Sequence, residues 1–303
     1  WVALTFEYFR RAGVEALVLE VGAGGRFDLT NVSEPLLSVI TTVGLDHEKS
    51  LGPSIADIAW HKAGVLRPAA PLVIGDMPDP ARDVVINDAE RLRAPIARAS
   101  TPNQGDFRVT NDAIAATALE MLAARGFGRV NQLALEASRA TSLPGRYELM
   151  PSIDGAPVIL DGAHNPDKAA ALADLRRRAA PAEPLVLVLG TVGYRRPQSI
   201  LRPLLPLAYA WIATEPRVLG KPPTPATVTA RAGHDLGAPA AAVEPNPMRA
   251  LDHALSICPS GGHVLVAGSL YLAGNLRSRW YPTQDVEQQR TMWPLRHTER
   301  AYG

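Results

Sequence analysis

Short apolar runs alternate with helix-patterned segments along nearly the whole chain, and this alternation constrains the fold more than any other feature. It argues for an α/β protein with mainly parallel sheets. A helix over residues 1–12, apolar at Val2, Leu4, Phe6 and Phe9, stops at Gly13 and leads into a buried strand over 16–21. A second buried strand spans 36–43. Then come a helix over 55–63, a strand over 72–74 and a helix over 81–93. A long helix over 112–124 ends before Gly126, and Thr110, Asn111 and Asp112 offer side-chain oxygens to cap it.

The texture changes around residues 139–157, where Pro, Gly and Ser accumulate without a helical period. A domain boundary is placed there: a first domain over 1–142, a second over 143–281 and a polar, irregular tail over 282–303. The 303 residues suit two domains, each large enough to bury a core. The second domain repeats the alternation, with strands over 157–160, 185–189, 208–213 and 263–267. Its helices span 168–178, 198–205, 248–257 and 270–279. The first residue is Trp1, not Met, and it opens directly into a helical pattern, as in a chain entered partway through a domain.

Composition narrows the partners. A formal charge of +1 gives no electrostatic case for nucleic acid. No apolar run approaches the roughly 20 residues that span a membrane. The single cysteine, Cys258, excludes an internal disulfide framework and a cysteine-based metal site, and points to the cytoplasm. Lysines are scarce: Lys49, Lys62, Lys168 and Lys221 are the only four among 31 basic residues, which leaves 27 arginines. A lysine inside a motif is therefore less expected by chance.

Several segments place polar groups where strands end, the edge at which open parallel sheets bind ligands. In LVLEVGAGGRFDLTNV (17–32), an apolar run ends in Glu20 and the cluster Gly22, Gly24 and Gly25. The same letters suit a nucleotide fingerprint or an S-adenosylmethionine methyltransferase loop, but both want a helix straight after the glycines. Here Asp28, Thr30, Asn31 and Pro35 favour turn or loop instead. In SVITTVGLDHEKSLG (38–52), another run ends in Gly44, Asp46 and His47. A carboxylate and an imidazole beside a phosphate suit Mg²⁺, which takes few protein ligands and keeps waters. Lys62 lies on a helix in IADIAWHKAGVLRP (55–68), and Arg146 lies in LPGRYE (143–148) at the boundary. In PVILDGAHNP (157–166), a buried strand delivers Asp161 to a turn before His164, Asn165 and the helix-starting Pro166. In VAGSLYLAG (266–274), Gly268 and Ser269 join a strand to a helix N-terminus, a natural place for an anion.

Taken in order, EVGAGGRFDLTN, TTVGLDHEKSLG, HKAGV, LPGRYE, DGAHNP and GSLYLAG resemble the folylpolyglutamate/dihydrofolate synthase family of Mur-type ligases over about residues 1–280. The resemblance implies a P-loop-type central domain, incomplete at its N-terminus, followed by a Rossmann-like, mostly parallel C-terminal domain. It implies ATP and Mg²⁺ as cofactors, folate or pteroate and L-glutamate as substrates, and a monomer. In such enzymes ATP phosphorylates a carboxylate, and the amino group of glutamate attacks the acyl phosphate. Carried over by motif, Glu20, His47 and Lys62 are the metal ligands, with Lys62 as a carbamate. Lys62 and His164 are the catalytic pair. Asn111, Arg146, Asp161 and His164 hold ATP, and Ser269 positions the incoming glutamate.

Three departures stand out. No GxxxxGK[ST] occurs anywhere; the only Gly-Lys pair, Gly220–Lys221, precedes Pro222. The chain by itself is therefore expected to be inactive. His61 precedes Lys62 where the family leads one to expect glutamate, and the turn Gly193-Tyr194-Arg195-Arg196 replaces an acidic one. Another Mur-type amino-acid ligase, an inactive remnant and a methyltransferase built on VLEVGAGG are the alternatives.

Overall fold

The structure is a computed structural model and describes residues 1–99, 106–152, 155–193 and 196–294. The chain divides into two compact units, Trp1–Thr141 and Ser142–Gly303.

The first unit runs α1 (Val2–Ala12), β1 (Ser38–Ile40), α2 (Glu48–Leu51), α3 (Ile55–Ala63), β2 (Leu72–Ile74), α4 (Asp79–Arg91), β3 (Ile96–Arg98), α5 (Phe107–Ala124) and α6 (Gln132–Ala140). The strands form a parallel sheet in the order β1-β2-β3, with Ser38 beside Leu72 and Leu72 beside Ile96. β2 is central, wholly apolar and wholly buried, as a strand covered on both faces must be. Ile58, Ala59 and Ala63 of α3 and Val85 and Ala89 of α4 pack around Ile40, Leu72 and Ile74. Val73 joins Ile114 of α5 in a separate cluster. A reciprocal cap starts α3: the Asp57 N–H donates to the Ser54 hydroxyl, and the Ser54 N–H donates to the Asp57 carboxylate, each at 3.1 Å.

The second unit runs β4 (Glu148–Met150), β5 (Val158–Leu160), α7 (Pro166–Ala179), β6 (Leu185–Leu189), α8 (Pro197–Leu204), β7 (Ala210–Ala213), α9 (Ala226–Asp235), β8 (Ala242–Val243), α10 (Pro247–Ile257), β9 (His263–Ala267), α11 (Leu270–Arg277) and α12 (Thr283–Gln289). Its six-stranded sheet has the order β4-β5-β9-β6-β7-β8. Only the β4–β5 pairing is antiparallel. Alternate residues divide the core into two layers. Leu187, Leu189 and Leu265 cluster with residues of α7, α8 and α9. Val186, Val188, Val264 and Val266 cluster with residues of α10 and α11. The run LVLVL of β6 is buried throughout because both faces are covered.

The sequence expectations change at several elements. Residues 16–21 form no strand, and Val18 is 96% exposed. A strand exists through hydrogen bonds to a neighbour, and among the described residues no strand pairs with this segment. The strand expected over 36–43 shortens to β1 at a sheet edge, which leaves Val39 40% exposed. α5 begins at Phe107, where the Asp106 carboxylate accepts the Arg108 N–H at 2.9 Å. Asn111 therefore lies inside the helix and does not head it. α2, β3, α6, β4, α9 and β8 are additional elements, and α12 occupies part of the tail expected to be irregular. Residues 295–303 of that tail and Tyr194 and Arg195 of the expected acidic turn lie outside the described residues.

Candidate active site

In the first unit the glycine turn closes on Asp28. Its carboxylate accepts the Ala23 N–H at 3.1 Å, the Thr30 N–H at 2.9 Å and the Thr30 hydroxyl at 2.6 Å. Partial burial pushes the Asp28 carboxyl upward, but these bonds, with one from the Gly22 N–H, outweigh it and hold it below the usual range. No helix follows until α2, so neither a dinucleotide nor an adenosylmethionine loop is built here.

Glu20 and Lys62 line one cavity of about 420 Å³, together with Thr41, Thr42 and apolar side chains from 18–21 and 39–40. Burial lowers the Lys62 pKa, and Asp46 opposes that shift only in part. The uncharged amine is thereby easier to reach than in a solvated lysine, in a cavity that also holds a carboxylate. His47 is exposed, takes a left-handed backbone conformation (φ 55°) at the start of α2 and does not line this cavity. Among the described residues no group of three or more His, Cys, Asp or Glu side chains is placed to hold a metal. The Glu20–Lys62 pair fits Mg²⁺ only when Lys62 carries an anionic carbamate, because the ion prefers a few hard oxygens. His61 packs edge-on against Trp60 at 5.0 Å and Phe27 at 5.7 Å, and the Arg26 guanidinium lies 4.1 Å above Trp60. His61 thus belongs to an aromatic cluster.

In the second unit the carboxyl ends of the parallel strands form one polar edge. Asp161 follows β5, Gly190 follows β6 and Gly268 and Ser269 follow β9. Asp161 is only 5% exposed; its two oxygens accept the Tyr147 N–H at 2.8 Å and the Ala163 N–H at 2.7 Å. Burial raises its pKa, while these bonds and the charges of Arg146 and Lys168 oppose the rise. Gly162 lets two side chains close over the turn: a Cβ there would meet Leu270 at 2.3 Å and the Arg146 guanidinium at 2.8 Å, and both would have to shift. Gly268 (φ 104°) is required twice, by its backbone angle and because a Cβ would lie 2.6 Å from the Gly190 carbonyl.

The LPGRYE turn is tied down from below. Glu148 accepts the Gly145 N–H at 2.9 Å and the Arg277 Nε–H at 2.9 and 3.0 Å, and the Gly145 carbonyl accepts the Gly162 N–H at 2.8 Å. The turn that presents Arg146 is thus fixed to the turn that presents Asp161. His164 Nδ1 lies 2.8 Å from the Gly162 carbonyl and Nε2 lies 3.2 Å from Lys168 Nζ. Buried Ser269 caps α11, its hydroxyl accepting the Tyr271 N–H at 3.1 Å. Arg146, Asp161 and His164 share this edge, while Asn111 is an exposed residue of the first unit.

Comparison with known proteins bears on both units. Residues 145–270 match the Mur ligase, glutamate ligase domain. The probable bifunctional folylpolyglutamate synthase/dihydropteroate synthase of Haloferax volcanii is 30% identical over 98% of this chain and 38% of its own length. The dihydrofolate synthase/folylpolyglutamate synthase of Mycobacterium tuberculosis is 32% identical over 72% of this chain and 53% of its own length. The chain belongs to the folylpolyglutamate/dihydrofolate synthase family. It spans 38 to 55% of the length of the first curated synthases it matches. A solved M. tuberculosis folylpolyglutamate synthase, complexed with ADP and AMPPCP, superposes with a TM-score of 0.80 at 27% identity, over 92% of this chain and 72% of that one.

Within this family, sequence reasoning read Asp28 only as a turn former and missed its hydrogen bonds, the Lys168–His164 contact and the Glu148–Arg277 pair. Asp28 had a signal, since a carboxylate a few residues after a glycine cluster is a common turn lock. Glu148 and Arg277 are 129 residues apart, and nothing in either local pattern links them. No helix among the described residues is long and apolar enough to cross a membrane.

Proposed function

We propose that the polypeptide carrying this chain is an ATP-dependent ligase that joins L-glutamate to a folate or pteroate carboxylate through an acyl phosphate, in the cytoplasm and as a monomer. The observation that carries this reading is the likeness to the synthase solved with ADP and AMPPCP.

In the second unit, Arg146 is an exposed cation available to nucleotide phosphates, and its backbone is fixed through Gly145 and Glu148. Asp161 orients that turn by accepting the Tyr147 N–H, and its depth keeps it from a surface ion pair. His164 stands at the start of α7, where the helix dipole favours a phosphate. Ser269, at the start of α11, is placed to meet a carboxylate of the incoming glutamate. Asn111 is assigned to adenine by motif.

In the first unit, the neutral amine of Lys62 adds CO₂ and loses a proton, giving a carbamate. Glu20 and that carbamate would hold Mg²⁺, with His47 as the third ligand by motif. Bound there, Mg²⁺ would offset negative charge on the phosphates and on the phosphorylated carboxylate. The chain's own residues then need only orient the acyl phosphate toward the amine of glutamate. A screen of pteroate, folates and other carboxylates for glutamate-dependent ADP release tests the reading. Turnover confined to non-pterin acceptors would move the assignment to another Mur-type ligase.

A further inference from the structure

His164 sits between two groups whose hydrogen-bonding roles are fixed. The Gly162 carbonyl can only accept, so Nδ1, 2.8 Å away, carries the ring proton. The Lys168 ammonium can only donate, so Nε2, 3.2 Å away, is unprotonated. The imidazole is therefore neutral and in one tautomer.

Helix stability does not explain the lysine. Lys168 is the third residue of α7, after Pro166 and Asp167, with Asn165 as the cap accepting its N–H at 2.9 Å. A cation in the first turn faces the positive end of the helix dipole. The side chain is exposed, so no packing demands it. Arginine outnumbers lysine 27 to four here, yet this position has the compact charge on a flexible stem that can change partners. Asp161, the charge of Arg146 and the adjacent Asp167 are among the charged groups of this edge.

We propose that Lys168 is a positioning residue that acts through His164. In the unliganded protein its ammonium keeps Nε2 unprotonated on an imidazole whose Nδ1–H is set by the Gly162 carbonyl. When a nucleotide phosphate arrives, the ammonium moves to a phosphate oxygen. Nε2 then takes a proton from solvent and becomes a second donor to the anion. This inference rests on the nucleotide reading of the second unit.

Nitrogen-15 NMR of the full chain tests it, with His164 identified by the signals lost in His164→Gln. Wild type and Lys168→Arg are expected to show one protonated and one unprotonated ring nitrogen. Lys168→Met is expected to keep the proton on Nδ1 but to let Nε2 take up a proton at a higher pH than in wild type, with backbone signals elsewhere unchanged because residue 168 is exposed. ADP added to wild type should protonate Nε2, and Lys168→Met should weaken ADP binding about tenfold, the loss of one charge-assisted hydrogen bond. Unchanged His164 signals in Lys168→Met would overturn the proposal, even if ADP binds. If ADP binds wild type but leaves His164 unmoved, the release step fails and the nucleotide reading stands; if ADP does not bind at all, the nucleotide reading fails.

Discussion

The tie beneath the LPGRYE turn gives the sharpest stability prediction. Arg277→Met removes the partner of Glu148, whose side chain is 10% exposed, from a guanidinium that is 11% exposed. Surface ion pairs are worth about 0–1 kcal/mol, but this pair is buried. Removing one member of a buried pair typically costs about 3–5 kcal/mol, because the other charge stays desolvated. Arg277 also donates to the Met292 carbonyl at 2.6 Å and lies 4.3 Å over Tyr281, so the variant loses a further bond and a stacking contact. With a urea slope of about 2 kcal/mol/M, the second unit's unfolding midpoint should fall by about 2 M. Buried Trp280, whose indole N–H donates to the Pro151 carbonyl at 2.7 Å, reports on that unit. The double variant Glu148→Gln/Arg277→Met should recover much of the loss, since Gln is neutral and still accepts the Gly145 N–H. A fall below about 0.5 M in Arg277→Met, the scale of a surface pair, would refute the reasoning.

Three further outcomes follow from the same geometry. Lys62 has a folded pKa below its ordinary 10.5, so its contribution to stability is present above that value and lost as pH falls through the lower folded one. Lys62→Met should flatten this slope, and with ¹³C-bicarbonate it should lack a carbamate NMR signal that wild type shows. Asp161 has the opposite sign: its folded pKa lies above 3.8, so its contribution is present below that value and lost as pH rises through the folded one. Asp161→Asn removes that dependence but sets an amide NH₂ against the Tyr147 or Ala163 N–H, costing about 1–3 kcal/mol in thermal unfolding and abolishing ADP binding by calorimetry. Asp28 has a folded pKa below 3.8, so it stabilises above that value and less as pH falls; Asp28→Ala should cost about 1–3 kcal/mol near neutral pH, and hydrogen exchange at Ala23 and Thr30 should speed up.

Much of the architecture is legible because parallel sheets buried on both faces write themselves as apolar runs. LVLVL, VIL and HVLVA could hardly be read otherwise, and their carboxyl ends locate Asp161 and Ser269. The same rule misled at residues 16–21, where apolar letters without a pairing neighbour leave Val18 in solvent. Short or mixed elements carry too little periodicity: β8 has two residues, and α9 reads ATVTARAGHD, with Thr and Gly against a helix. The caps mislocated α5, since three polar residues at 110–112 looked like a start while Asp106 made the bond. Residue identities at the site came from motifs, but what fixes them is tertiary. Glu148 reaches Arg277 across 129 residues, and Lys168 gains its meaning only from the ring orientation of His164.

The central claim, ligation through an acyl phosphate on a folate-type carboxylate, has a direct isotopic test. The polypeptide carrying this chain is given Mg²⁺-ATP, L-glutamate and a pteroate or folate acceptor labelled with ¹⁸O in its free carboxylate. Attack of the amine on the acyl carbon expels phosphate that keeps one carboxylate oxygen. Mass spectrometry should find the glutamyl amide and one ¹⁸O in each phosphate released. Amide formed with unlabelled phosphate, or ADP released without amide from any pterin acceptor, would contradict the account.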